Sequence, residues 1–354
     1  MTHPKEIILL LQHLIATPSF SREEDKTAAI IQNFFIEKNI PTERIGNNII
    51  VKNKYYSENP KVPVILLNSH HDTVKPVNGW TRNPFSAETI DGKLYGLGSN
   101  DAGGALVSLM ATFCFFYDKK LPFNLILAAT AEEEISGANG IASILPHLSS
   151  ISVGIIGEPT LMQMAVAEKG LMVIDGIASG KAGHAARNEG INAIYKALED
   201  IEKIKNFRFE KKSELLGEVK MTVTQIEAGT QHNVVPDTCK FVIDIRSNEC
   251  YSNAEIFEIL QKQVESELKP RSFRLNSSKI ALNHPLILRG IEMGLSHYGS
   301  PTLSDQALMP FNTLKIGPGD SARSHTADEY IYVNEIQEGI KTYIGLLENL
   351  ALVS

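Results

Sequence analysis

The chain reads as a doubly wound α/β domain with a mainly parallel sheet, interrupted by a smaller inserted α+β unit of ferredoxin-like type. Three observations predict this. Compact, unalternating apolar runs at residues 62–67, 125–129 and 153–156 each end abruptly in polar residues, as strands buried on both faces of a parallel sheet do. An apolar segment, residues 102–117, lies between the first two and suits a buried crossover helix. From about Met164 the texture changes to short strands bracketing two amphipathic helices.

In chain order, an amphipathic stretch follows residues 1–6, and its apolar run from Ile7 to Leu11 is cut by Gln12 and His13. It has neither the length nor the small-residue cleavage site of a signal peptide. Ser21 and Glu24 have capping-box spacing, with Ala28, Ile31, Phe34 and Phe35 recurring behind them at helical intervals. The strand, helix, strand, strand run then follows. In the insertion, strands are expected at residues 171–178, at 219–226 and along the alternating Phe241, Ile243 and Ile245. Helices are expected to carry Ile191, Ile194, Leu198, Ile201 and Ile204, and then Ile256, Leu260 and Val264. After Pro285 come a helix over 286–298, a strand near 314–316 and a closing helix from 334 to 347. The plan is one discontinuous domain, 1–166 and 281–354, with an inserted lid at 167–280.

A chain of 354 residues with 34 basic and 41 acidic side chains, net charge −7, leaves no basic surplus for nucleic acid or an anionic membrane. No apolar run approaches the ~18 residues that would span a bilayer. Cys114, Cys239 and Cys250 are odd in number and scattered, which predicts reduced core cysteines in a cytoplasmic protein.

Each predicted strand of the large domain ends in metal-capable side chains. These are His70-His71-Asp72, Glu132-Glu133-Glu134, Glu158, and His325 beyond Gly317-Pro318-Gly319, with Asp101 just ahead of the crossover helix. In open α/β sheets the ligand crevice lies at the carboxyl ends of the strands, so these clusters converge. Histidines and carboxylates without cysteine suit Zn²⁺ in a hydrolytic site. Residues two apart face the same way in an extended strand end, which puts Asp72 beside His70. Asp72 would accept the second imidazole N–H and orient His70 as a ligand. Within the acidic triplet, adjacent carboxylates can divide two jobs, one ligating a metal and one taking a proton from metal-activated water. Gly96-Leu97-Gly98-Ser99-Asn100-Asp101 lacks the third glycine of a dinucleotide fingerprint, and Gly180-Lys181 lacks both the opening glycine and the Ser or Thr of a phosphate loop. His232, His284 and His297 have no carboxylate cluster beside them and are expected to be structural or exposed, and His71 structural.

The segments His70 to Val74, Trp80 to Phe85 and Asp91 to Asp101 resemble the two-zinc deacylase and exopeptidase family. So, in order, do Thr130 to Glu134, Gly157 to Thr160, Gly183-His184 and His325. That family includes acetylornithine deacetylase, succinyl-diaminopimelate desuccinylase, aminoacylases and glutamate carboxypeptidase. The resemblance implies two Zn²⁺ per subunit, with Co²⁺ or Mn²⁺ as substitutes. Asp101 would bridge them, His70 and Glu158 completing one site and Glu134 and His325 the other. It further implies Glu133 as general base toward a metal-bridging hydroxide, Asp72 as the histidine-orienting carboxylate, and His184 reaching a neighbouring active site across a homodimer formed by the lid. Asn233 and Arg246 match residues that hold the substrate carboxylate.

The resemblance thins near the C-terminal ligand. The Ser-Asp-Gly-Arg element of the desuccinylases is replaced by Ser304-Asp305-Gln306-Ala307, and Gly317 to Arg323 is closer to acetylornithine and amino-group-carrier lysine deacylases. This suggests that Arg323 or the glycine-rich turn takes over part of substrate recognition. The expected function is hydrolysis of an N-acyl-ornithine or N-acyl-citrulline in arginine synthesis. A desuccinylase, a lysine deacylase or a di- or tripeptidase are the alternatives, and a metal-free binding protein is a further one.

Overall fold

Three strands, Val64–His70, Asn124–Thr130 and Val153–Ile156, are buried along their whole length. A side chain on either face of such a strand meets helix or loop rather than water, so apolar residues run without alternation. In the computed structural model, which describes residues 4–187 and 189–352, these strands pair in parallel in one large sheet. Thr313–Lys315 joins Val153–Ile156 as a fourth parallel strand. The opening residues 1–3 of the expected N-terminal segment lie outside the described residues. The sheet continues antiparallel at its margins, through the hairpin Glu43–Ile45 and Asn48–Lys52 on one side and Met164–Glu168 on the other.

The crossover helix, Gly104–Phe116, is almost wholly buried and packs against the helices Pro4–Ile15 and Val333–Leu347. It starts two residues later than expected because Ser99–Gly103 forms a wider turn holding Asp101. Two other readings change. Ser21 and Glu24 form no capping box: the helix Asp25–Glu37 starts without a side-chain cap, because both side chains are engaged by residues distant in sequence. The helix expected over 286–298 spans only Pro285–Glu292. Gly294, at φ +81°, breaks it, and His297–Ser300 is a strand.

The chain divides into two compact units, the larger comprising residues through 166, 280–298 and from 304 on, the smaller 167–279 with 299–303. The smaller unit has one four-stranded antiparallel sheet built from Met172–Ser179, Lys220–Ala228, Thr238–Arg246 and Glu267–Pro270, in spatial order fourth, first, third, second. Helix Ala193–Asn206 follows the first strand and Asn253–Gln261 the third, which is the ferredoxin-like βαββαβ plan. Alternation is clean here: Cys239, Phe241, Ile243 and Ile245 face a core shared with Ile204, Ile256 and Leu260. No described helix is long and apolar enough to cross a membrane, and among the described residues no disulfide joins the three cysteines, of which Cys239 is buried.

Candidate metal centre

The parallel strands align in register, so His70 stands opposite Thr130, and the ends of Val153–Ile156 and Thr313–Lys315 lie at the same edge. The chain leaving each end supplies one part of the site. His70 is buried and its Nδ1 lies 3.0 Å from the backbone carbonyl of Asp72, to which it donates, while the Asp72 carboxylate stands at 3.5 Å. The backbone oxygen thus takes the hydrogen bond that the period of the strand assigned to the side chain. Nδ1–H is fixed either way, and Nε2 is turned inward.

The Asp72 carboxylate has a second task. It accepts from Ser21 Oγ at 2.7 Å and from the backbone N–H groups of Glu133 at 3.0 Å and Glu134 at 3.2 Å. It therefore positions the acidic pair as well as lying beside the imidazole. Glu132, in the left-handed region at φ +56°, turns the chain there, and its carboxylate is tied to Asn139. Glu24 makes no side-chain cap to its own helix. Its buried carboxylate accepts from Arg22 N, Asn47 Nδ2 and Glu132 N, bracing the same turn.

Asp101 sits at the centre. Its Oδ1 is 3.4 Å from His70 Nε2 and its Oδ2 is 3.5 Å from His325 Nε2, so the two oxygens of one carboxylate face two different histidines. Glu158 completes one group, at 3.8 Å from His70 Nε2, and Glu134 the other, at 3.0 Å from His325 Nε2. His70, Asp101 and Glu158 have ligand atoms close enough to share one ion, as do Asp101, Glu134 and His325. Glu133 belongs to neither group, yet its Oε2 lies 3.8 Å from His70 Nε2. His325 itself adopts φ +57°, a left-handed conformation of the kind that surrounding structure must hold in place. Two glycines make the loops possible. Gly98 has φ +75° and Gly319 φ +92°, and a Cβ would lie 2.5 Å from the Thr73 methyl in the first case and from Asn100 Oδ1 in the second.

The electrostatics suit cations. His70 Nε2 is buried and has no hydrogen-bond partner among the described residues, although carboxylates stand on three sides of it. A buried polar atom without a partner calls for an explanation, and one nitrogen with two carboxylates on each side is a donor set for a hard or borderline dication. Burial disfavours a charged His70, but Glu133, Asp101, Asp72 and Glu158 outweigh it and hold its pKa well above the ordinary value. Burial raises Glu133 well above the carboxylate range, and Glu158, Asp305 and Glu134 add to this against the pull of His70. Burial together with Asp101 pushes Glu158 and Glu329 each up to about 8. The hydrogen bond to Glu134 lifts His325 to about 9 against burial.

These directions give a pH prediction. Below about 8, protons occupy Glu158 and His325 and must leave before a cation binds. Metal uptake at pH 7 should therefore release protons, and affinity should rise as the pH climbs through 8 to 9. Calorimetric titration in two buffers of different ionisation enthalpy measures this, and a proton count of zero would contradict it.

The remaining sequence-named residues divide. His184 and Asn233 are brought together: His184 pairs with Val234 in a two-stranded ribbon, and the Asn233 carbonyl accepts from Ala185 N. Arg246 makes a two-point contact with Asp244, at 2.8 and 3.1 Å, so its fork is engaged by a carboxylate of its own strand. Arg323 is held in the same way by Glu335, at 2.7 and 3.0 Å, and lies over the rings of Tyr330 and Tyr332. Glu335 belongs to the first turn of Val333–Leu347 and also accepts from Tyr332 N, which makes Arg323 a tether for that helix. Arg323→Ala is expected to cost about 1–3 kcal/mol of stability with KM unchanged. A raised KM at unchanged melting temperature would return Arg323 to substrate recognition. His71 is buried between Thr27 and the Asn47 carbonyl, and burial lowers its pKa to about 4. His284 caps the helix Pro285–Glu292, and His232 and His297 are exposed.

Sequence reasoning missed Glu329, Glu24 and Asp305. Asp305 is buried, accepts from Thr130 Oγ1 at 2.8 Å and acts electrostatically on Glu133. The only signal for it was its place in the segment that departs from the desuccinylase pattern.

Residues 66–349 match Peptidase family M20/M25/M40. The succinyl-diaminopimelate desuccinylase of Wolbachia pipientis wMel is 25% identical over 76% of this chain and 72% of its own length. The acetylornithine deacetylase of Proteus mirabilis (strain HI4320) is 27% identical over 98% of this chain and 97% of its own. Among solved structures, aminopeptidase PepT from Bacillus cereus ATCC 10987 superposes with a TM-score of 0.77 at 18% identity, covering 98% of this chain and 99% of that one. The Bacillus subtilis YXEP protein, a dinuclear metal binding peptidase from the M20 family, gives 0.76 at 16% identity, covering 99% of both chains. At these identities the superpositions speak for the fold, and the sequence match speaks for the family. The chain belongs to Peptidase family M20/M25/M40 and is an amidohydrolase.

Proposed function

We propose that this protein removes the acyl group from an N-acyl amino acid, an N-acyl-ornithine or N-acyl-citrulline, using two Zn²⁺ per subunit, in the cytoplasmic synthesis of arginine. The observation that carries the reading is one carboxylate, Asp101, shared between two histidine-carboxylate groups, with Glu133 beside them but outside both. The relatives named acetylornithine deacetylase, and the Gly317 to Arg323 run before His325, support the substrate class. His70, Asp101 and Glu158 would hold one cation, and Asp101, Glu134 and His325 the other. Bound there, the two cations would supply polarisation of the scissile carbonyl and a water whose pKa is lowered toward about 7.

The chain's own groups do the rest. Glu133, fixed through its backbone N–H by Asp72, takes a proton from the attacking water and returns one to the departing nitrogen as the C–N bond breaks. Asn233 and Arg246 are assigned to the substrate carboxylate, for which Arg246 would exchange Asp244.

The smaller unit is assigned the roles of lid and dimer contact. Ile191, Tyr195 and Leu198, at and just before helix Ala193–Asn206, and Ile226 on the neighbouring edge strand are large apolar side chains at least half exposed, which supports a covered face in a homodimer. If His184 acts across that dimer, mixing His184→Ala with Glu133→Gln subunits should restore partial activity. Absence of recovery in verified heterodimers would place His184 elsewhere.

The substrate is tested by kcat/KM on N-acetyl-ornithine, N-acetyl-citrulline, N-succinyl-citrulline, N-succinyl-diaminopimelate and simple dipeptides. Highest values on the ornithine or citrulline compounds are expected. A preference for diaminopimelate or dipeptides would overturn the substrate class and leave the reaction class standing.

A further inference from the structure

Glu329 is four residues beyond His325, buried to 2% exposure, and lies outside both ligand groups. Its side chain gathers the loop that carries Asp101. Oε1 accepts from Asn100 N at 2.8 Å and Asp101 N at 2.9 Å, and Oε2 from Gly98 N at 3.0 Å. Its backbone carbonyl accepts from Gly96 N at 2.9 Å. Three main-chain N–H groups converging on one buried carboxylate form an anion cradle. Both of its oxygens act as acceptors here. A glutamine would turn an NH₂ toward an N–H that needs an acceptor.

Asn100 strengthens the same seam from the other side. Its Nδ2 donates to the Asp320 carbonyl at 3.0 Å and to Ser324 Oγ at 3.2 Å, and its Oδ1 accepts from Asp320 N at 3.0 Å. The segment from Asp320 to Glu329 and the loop from Gly96 to Asp101 are thereby stitched along their length. One bears His325 and the other bears the shared carboxylate.

We infer that Glu329 is a positioning residue that sets the placement of Asp101 against His325, and so the affinity and geometry of the cation site they share. The inference rests on the two-cation reading of the centre. Glu329 reaches the cation only through the backbone of its ligand, and a misplaced Asp101 backbone displaces Oδ2 from His325 while Glu134 stays where Asp72 holds it.

The test titrates metal-stripped full-length protein with Co²⁺, comparing wild type, Glu329→Gln and His325→Ala by calorimetry and visible absorption. Glu329→Asp, whose shorter arm cannot reach all three N–H groups, replaces Glu329→Gln if that variant does not fold. The expected result is a Glu329 variant with Co²⁺ affinity weakened ~10- to 100-fold at the His325 site, a smaller loss at the His70 site through the shared Asp101, and a changed Co²⁺ spectrum. Wild-type affinities and spectrum in the Glu329 variant, with one site lost in His325→Ala, would overturn the inference alone. Wild-type binding by His325→Ala would overturn the two-cation reading and the inference with it.

Discussion

Replacing Asp101 with Ala is expected to release both cations together and to lower kcat/KM by ~10³-fold or more, the loss that follows when several kcal/mol of charge stabilisation leave a transition state. Every other candidate ligand serves one group, whereas the two Asp101 oxygens stand 3.4 Å from His70 Nε2 and 3.5 Å from His325 Nε2. Without it each side keeps one histidine and one glutamate, and the two cations lose the anion between them. His325→Ala should differ by retaining the His70 side. Metal analysis after dialysis distinguishes the two variants. An Asp101→Ala protein that kept both cations, or activity within tenfold of wild type, would remove the shared carboxylate from the mechanism.

Glu133→Gln should show the opposite separation, full metal content with kcat reduced ~10²–10⁴-fold, the range that general base catalysis supplies. Glu133 is outside both ligand groups, so cation binding does not need its charge. The Gln backbone N–H still reaches Asp72 Oδ1, so the turn and Glu134 beside it stay in place. What is lost is the ability to accept a proton. KM should therefore change little, and the loss should persist across the pH range over which the wild type is active. Near-normal turnover in the loaded variant would reassign the base.

Much of this site was legible in the sequence because ligand chemistry is concentrated at strand ends. His70, Glu134, Glu158 and His325 follow apolar runs that declare themselves by composition, and Asp101 precedes a helix that does the same. The ferredoxin-like unit was legible for a related reason, since Phe241, Ile243 and Ile245 alternate against one core. The failures share a cause. Ser21 and Glu24 carry a local capping signature, but Asp72 and Asn47 compete for their side chains and win through contacts made only in the folded chain. The two-point contact of Arg323 with Glu335, twelve residues on, was equally hidden, because nothing in the sequence pairs the two positions. Glu329 follows Asp328 and reads as a solvated acidic pair, yet its partners lie 228 to 231 residues earlier, a separation that no window on the sequence spans.

The division of the chain also bears on how it reaches this state. The four strands and two helices of the smaller unit fall in one contiguous stretch from Met172 to Pro270. That core can close as soon as those residues exist. The larger sheet cannot, because Thr313–Lys315 must pair beside Val153–Ile156 across the whole intervening stretch. Pairing at such separation carries a loop-closure cost and slows folding, which a pre-formed insert reduces by shortening the free chain between the two strands. A chain emerging from the ribosome would hold a folded insert while its parallel sheet was still one strand short and exposed at that edge. In refolding, the smaller unit should gain hydrogen-exchange protection first, and the larger sheet should be the part that most needs shielding from aggregation.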